Sequence, residues 1–443
     1  AIDAQQLGQY TLDQKLGAGA MGVVYKGHHA MLRRPTAVKL LKMEAATPNT
    51  IQRFEREVQG ATKATKEETK GKKQLVGGLG KAALAGAAGL AGTAGLLAAC
   101  NNRPQAAAEC PEGAAAAPAE TYEWKMVTTW PRDFPGLGTG ANYLARIIGE
   151  MSGGRLTVKV YGGNELVPPF EVFDAVQRGT AEMGHGGAYY WKGKIPASSF
   201  FTSIPFGLTG NEINGWFYYG GGLELYREAY APFGVIPYPI GNSGTQMGGW
   251  FNKEINSVAD LEGLRMRIPG IGGEVLRKVG GTPVNIPGAE LFTALESGTI
   301  DATEWVGPMN DLAFGLFRAA QYYYYPGWHE PGTALEAIVN REALEALPAD
   351  LQSIVEIACK AANMDMFAEF EARNGEAIKT LVEEHGVELR PFPDEVLAEL
   401  KAASLEVMEE MAAADEMSGK AWASLKAYME RVKLSTRIGS QYF

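Results

Sequence analysis

The sequence is short of cysteine, of positive charge and of catalytic constellations, and each shortage removes a class of function. Three cysteines in 443 residues give no dense disulfide framework. Cys100 and Cys110 flank a low-complexity segment and Cys359 falls in a helical pattern, so the redox compartment is left open. Acidic residues outnumber basic ones 51 to 41, a net charge of -10, which argues against nucleic acid as a partner because phosphates need basic neutralisation. No nucleophile-and-base arrangement stands out. With 46% hydrophobic and 21% charged residues the chain is globular and long enough for two or three core-bearing units.

The richest stretch runs from Asp260 to Glu330. Three short apolar runs, LRMRI, TPVNI and IDATEWV, alternate with helical patterns at Gly273 to Val279 and Ala289 to Glu296, the rhythm of βαβ units on a parallel sheet. Ligands of such sheets sit at strand ends. Arg267 ends one strand, Glu304 and Trp305 sit on another, and Glu330 follows a Pro-Gly turn, so one cation and two carboxylates are expected in one crevice. Carboxylates so placed repel unless something positive lies between them.

LRMRIPG, GGTPVNIP and ELFTALESGTIDATEW resemble the solute-binding proteins of tripartite ATP-independent periplasmic (TRAP) transporters. The EW pair, GNSGTQMGGWF and YYYYPGWHE are similar to the subgroup that binds small 2-oxo acids with a metal ion. The resemblance runs from about Tyr122 to the C-terminus. It implies an α/β, two-lobed periplasmic-binding-protein fold of type II-like topology with a long C-terminal helix. Lobe 1 would span about 122–240 plus the C-terminal helices, and lobe 2 about 241–335.

Residues 1–60 carry a different signature. QYTLDQKLGAGAMGVVYKGHH, TAVKLL and IQRFEREVQ resemble the β-rich start of a Ser/Thr protein kinase small lobe. The resemblance implies that Gly17, Gly19 and Gly22 cover phosphates, Val24 touches adenine, and Lys39 pairs with Glu57. It stops after Gln59: neither a His-Arg-Asp loop nor an Asp-Phe-Gly motif follows, so nothing would orient the hydroxyl or hold magnesium, and the fragment reads as a truncated remnant. Residues 61–99 read as a signal or anchor, because a lysine-rich run precedes an apolar stretch from Ala82 to Ala99. Leu97, Ala98, Ala99 and Cys100 look like a lipoprotein box, with Cys100 taking the lipid. An uncleaved span is the alternative, weakened by Lys81 and many glycines. Residues 100–121 are an Ala/Pro tether.

Within the main domain, Arg265 and Arg267 alternate on a strand and face opposite ways. The family pattern selects Arg267 as the bidentate carboxylate clamp, for which a guanidinium fork is suited. The resemblance also gives Tyr189 and Tyr190 ligand contacts, although tyrosines there serve packing equally well, and it brings Gln246 into the site. That amide offers an oxygen to a cation and a nitrogen to a carboxylate. Two protein carboxylates, a ligand carboxylate and one arginine leave excess negative charge that desolvation would make intolerable. A hard cation, Na⁺ or Ca²⁺, resolves it, with oxygens from Glu304, Glu330, Gln246, the Trp305 carbonyl and two ligand atoms. Chelation then calls for a 2-oxo or 2-hydroxy group beside the carboxylate. Trp305 and Trp328 either wall the pocket or belong to a core, and His329 is expected as a neighbour rather than a ligand.

The expected protein is a periplasmic or extracytoplasmic binding protein, not an enzyme. Its partners are a short monocarboxylate, TRAP membrane permease subunits and, by the resemblance, a second copy through the C-terminal helix. Two alternatives stand beside it: a membrane receptor coupling an outer carboxylate-binding module to an inner kinase-like lobe, and a metal-dependent lyase of 2-oxo acids.

Overall fold

The computed structural model describes residues 120–440 and four strands within residues 5–41. The chain divides into two units, Ala1–Ala114 and Ala115–Phe443. In the first, β1 (Gln5–Leu7), β2 (Tyr10–Gly19), β3 (Gly22–His29) and β4 (Pro35–Leu41) form an antiparallel sheet in that order. Gly19 pairs with Gly22 at the end of the β2–β3 hairpin, and Val24 lies opposite Lys39. Glu57, the signal or anchor at 61–99 and Cys100 all lie outside the described residues.

The second unit contains two sheets. In lobe 1, β5 (Tyr122–Thr128), β6 (Leu156–Tyr161) and β7 (Met183–Gly186) run parallel, with β8 (Val235–Asn242) and β14 (Ala334–Asn340) completing the order β6-β5-β7-β14-β8. The β5 to β6 crossover is the helix Leu137–Met151, whose Ala141, Leu144, Ile147 and Ile148 recur at helical spacing and are buried in the core of this lobe. In lobe 2 the order is β11-β10-β12-β9-β13-β15, built from β9 (Gly249–Phe251), β10 (Arg265–Arg267), β11 (Thr282–Val284), β12 (Ala302–Thr303), β13 (Tyr322–Tyr325) and β15 (Glu388–Pro391). Strands β10, β11 and β12 are mutually parallel, joined by the helices Gly270–Lys278 and Leu291–Glu296.

The residues ALEAIVN, whose composition reads as helical, form strand β14. Leu, Glu and Ala favour helix locally, but the slot between β7 and β8 takes a strand buried along nearly its whole length, and tertiary pairing overrides propensity. The helix begins one step later, where the Asn340 side chain caps Arg341–Glu345 by accepting from the Ala343 amide at 3.0 Å.

The C-terminal third serves both lobes. The helix Ala349–Glu383 packs Val355, Ala358, Cys359 and Ala362 into the core of lobe 1 and Phe370, Ala377 and Leu381 into that of lobe 2. Strand β15 then pairs with β13 of lobe 2. The helix Asp394–Ala414 precedes, across the extended residue Asp415, the long C-terminal helix implied by the resemblance, Glu416–Ser440. The Asp415 carboxylate caps the second helix by accepting from the Ser418 amide at 2.7 Å and hydroxyl at 2.8 Å. The first of these helices lies on Gly270–Lys278 in lobe 2, and the second lies on lobe 1, where Ala421, Trp422 and Leu425 are buried.

Two of the segments that carry the chain between lobes, at residues 243–248 and 326–333, bond to one another. Ser243 N–H donates to Thr333 O at 3.0 Å, Gln246 N–H to Glu330 O at 3.2 Å, and Gly327 N–H to Gln246 O at 3.1 Å. A Cβ on Gly327 would stand 2.2 Å from Gln246 O, so the crossing needs glycine there.

Candidate functional site

Strand β10 separates its two arginines. Arg265 points outward to Asp301, at 2.6 Å, whereas Arg267 is 1% exposed. Burying a guanidinium is costly without an anion. Arg267 has one: its Nη1 donates to the equally buried Glu304, just past β12. Its Nε donates to Ile286 O and its Nη2 to Tyr190 Oη, both at 3.3 Å, and its cationic face lies 5.2 Å from the Trp305 ring. Arg267 is held above its ordinary pKa: burial works against the charge, but Glu304 and the two tyrosines overcome it.

Glu330 arrives from the crossing segments. Its Oε2 accepts from Gln246 Nε2 at 2.8 Å and from Thr333 Oγ1 at 2.7 Å. The same amide nitrogen donates to Thr333 Oγ1 at 3.0 Å and to Ser243 Oγ at 3.2 Å. With its nitrogen so engaged, Gln246 presents Oε1 buried and without a partner. Burial, and after it the charge of Glu304, pushes the Glu330 carboxyl up to about 7.

Ligand atoms of Glu304, His329 and Glu330 all lie within 4.8 Å of one another. His329 Nε2 is 3.5 Å from Glu304 Oε2, and neither ring nitrogen has a hydrogen-bond partner. The sequence marked this histidine as a neighbour; the structure puts it inside the acidic cluster. Thr333 lies outside the motifs of the sequence, and Ser243, although inside GNSGTQMGGWF, is given no role by that resemblance. What draws them in is the pairing of the two crossing segments, which a linear pattern does not display.

The remaining expected residues surround this cluster. Tyr189 and Tyr190 lie on the short turn Ala188–Trp191 after β7. Burial, and next Glu330, raise the Tyr189 hydroxyl well above its ordinary value; burial also raises Tyr190, against the pull of Arg267. Trp305 is buried between Arg267 and Phe314, the latter ring 5.1 Å away, and its Nε1 is unpartnered. Trp328 is buried and stacked on Phe206 at 6.0 Å. An open depression of about 590 Å³ on the outer face of lobe 1, lined by Arg132, Arg146 and Lys159 among others, includes none of these residues.

Two buried carboxylates thus face one guanidinium, with a buried amide oxygen left unpaired beside them. Oxygen donors of this kind suit a hard cation, and the residues present fit one.

A two-lobed α/β fold with a charged, buried site between its lobes defines a solute-binding protein. The chain belongs to the bacterial extracellular solute-binding proteins of family 7 (DctP), whose model matches residues 126–415, and it is accordingly a periplasmic receptor rather than an enzyme. It is 44% identical over 317 residues to a monocarboxylate 2-oxoacid-binding periplasmic protein of Nostoc sp., covering 71% of this chain and 86% of that one. A TRAP periplasmic solute-binding protein from Pseudoalteromonas atlantica, solved with sodium and pyruvate, superposes with a TM-score of 0.71 at 47% identity, over 73% of this chain and 98% of that one. One from Colwellia psychrerythraea, solved with calcium and pyruvate, gives 0.71 at 45% identity with the same coverage.

Proposed function

We propose that this protein binds a short 2-oxo or 2-hydroxy monocarboxylate of the pyruvate, 2-oxobutyrate or lactate type together with Na⁺ or Ca²⁺, and presents it to the permease subunits of a TRAP transporter. The observation that carries the reading is the charge balance of the cleft: Glu304 and Glu330, both buried, against Arg267 alone. Adding a ligand carboxylate would make three anions to one fixed cation, which a dry site does not tolerate. Glu304, Glu330, Gln246 Oε1 and the Trp305 carbonyl would hold the ion. Its charge would offset the third carboxylate, and its remaining coordination positions would favour a chelating acid over a simple one.

The chain's own residues do the rest. The Arg267 fork takes the ligand carboxylate. Tyr189 and Tyr190 close over it from lobe 1, and Trp305 and Trp328 limit the length of the acid. Relatives solved with pyruvate and either sodium or calcium support this ligand class. Calorimetric titration with a panel of acids tests it: pyruvate, 2-oxobutyrate and lactate bind, while propionate, which lacks the oxo or hydroxy oxygen on C2, binds at least about tenfold more weakly, a difference of about 1.4 kcal/mol. Equal affinity for propionate would remove the chelate.

Two further assignments belong to the same reading. Cys100 ends a lipoprotein-like box, and mass spectrometry of membrane-extracted protein should find a lipid on it. An unmodified cysteine would exclude the anchor. The C-terminal helix exposes Leu434 and Ile438, four residues apart on one face, consistent with a homodimer through that helix. Light scattering that found only monomers at micromolar concentration would count against it.

A further inference from the structure

The turn Ala188–Trp191 and its following residue do more than line the ligand. Lys192 reaches across the cleft, placing Nζ 2.7 Å from Glu274 Oε1 and 3.4 Å from Gly270 O, both on the lobe 2 helix Gly270–Lys278. Arg277, on the same helix, donates to the other oxygen of Glu274, so the carboxylate is aimed before Lys192 meets it. Burial opposes the charge on Glu274, yet Lys192 and Arg277 together hold its carboxyl below the ordinary range. The turn makes two other crossings: the Tyr189 ring lies against Gly270, where an added Cβ would meet it at 3.3 Å, and Tyr190 accepts from Arg267. Those two belong to the ligand site. Lys192 and Glu274 do not; their side chains are 40% and 33% exposed at its rim, and neither is among the residues assigned to ion or acid.

We infer that Lys192 and Glu274 form a latch across the mouth of the cleft that exists only when the lobes are closed and that lengthens the residence of the bound acid. The inference rests on the ligand reading above. A contact made in the closed form alone adds to the barrier for opening, and so acts on release rather than on capture. Because the pair is partly exposed, its effect is modest and is screened by salt.

The test is stopped-flow tryptophan fluorescence with pyruvate on the full chain, comparing wild type, Lys192→Gln, Glu274→Gln and the double variant. Each single variant should release pyruvate roughly 2- to 5-fold faster, the range of an exposed ion pair, with association within a factor of two. The double variant should match the singles, since all three lack the same contact, and added salt should speed release from wild type only. Unchanged release, or factors that multiply in the double variant, would overturn the latch. Wild type that binds no short 2-oxo acid would defeat the functional reading instead. The latch is then read from small-angle scattering without ligand, where Lys192→Gln must expand the protein for it to stand.

Discussion

Two buried carboxylates, Glu330 and Glu336, sit close together in sequence and could hardly be more different chemically. Glu336, on β14, accepts from Trp191 Nε1 and from the Tyr226 and Tyr230 hydroxyls; it is fully served by neutral donors and faces no second acid. Glu330, six residues earlier, is crowded by Glu304 and by a histidine without partners, beside an amide oxygen that nothing satisfies. Burial pushes both carboxyls up to about 7. A raised carboxyl therefore does not by itself mark a site. What distinguishes the cleft is surplus charge together with unpaired polar atoms, because a buried polar group without a partner is costly unless a ligand supplies one.

The contrast can be broken at several points. The largest effect should come from Arg267→Gln, which removes the clamp and leaves Glu304 uncompensated. Pyruvate affinity should fall about 100-fold or more, as for one partner of a buried charge pair, roughly 2–5 kcal/mol, measured by calorimetry on protein whose circular dichroism is unchanged. Glu304→Gln should weaken the cation by about 10–100-fold, on the scale of losses around metal sites, and pyruvate with it. Glu336→Gln, in contrast, should leave both affinities within about threefold, since that carboxyl touches neither ligand. An equal loss in the two Glu→Gln variants would erase the distinction between the regions.

A smaller effect concerns pH. Asp311, buried and bonded to Tyr323 and Trp250, is also raised to about 7, chiefly by burial. For a carboxyl whose folded pKa lies above its unfolded value, the folded state holds the extra proton. Its stabilisation is complete below the ordinary carboxylate range and is lost as pH rises through about 7. Ligand-free protein should therefore melt at a lower temperature at pH 8 than at pH 5.5, with a difference of roughly 1–3 kcal/mol per group. Glu336→Gln should flatten part of that slope, and cation plus pyruvate should cancel the part due to Glu330. A ligand-free melting point that rose with pH would contradict the shifts.

Much of the cleft was legible because strand-end chemistry is local. The alternation of Arg265 and Arg267 on β10 sets them on opposite faces, the family pattern selects Arg267, and the βαβ rhythm carries Glu304 to the neighbouring strand end. What was not legible arises where distant segments decide. The residues of β14 look helical until β7 and β8 flank them; β15 is assigned to lobe 2 only by its pairing with β13. His329 joins the acids because the crossing segments fold its loop back onto Glu304. The Lys192–Glu274 contact likewise spans lobes, so neither residue announces it.

The central claim is that cation and acid neutralise the cleft jointly, and a titration of pyruvate into protein freed of sodium and calcium tests it most directly. The account predicts little or no binding in a potassium buffer with chelator, and recovery of tight binding on adding sodium or calcium, with the cation in turn bound more tightly when pyruvate is present. Undiminished pyruvate affinity in the cation-free buffer would contradict it.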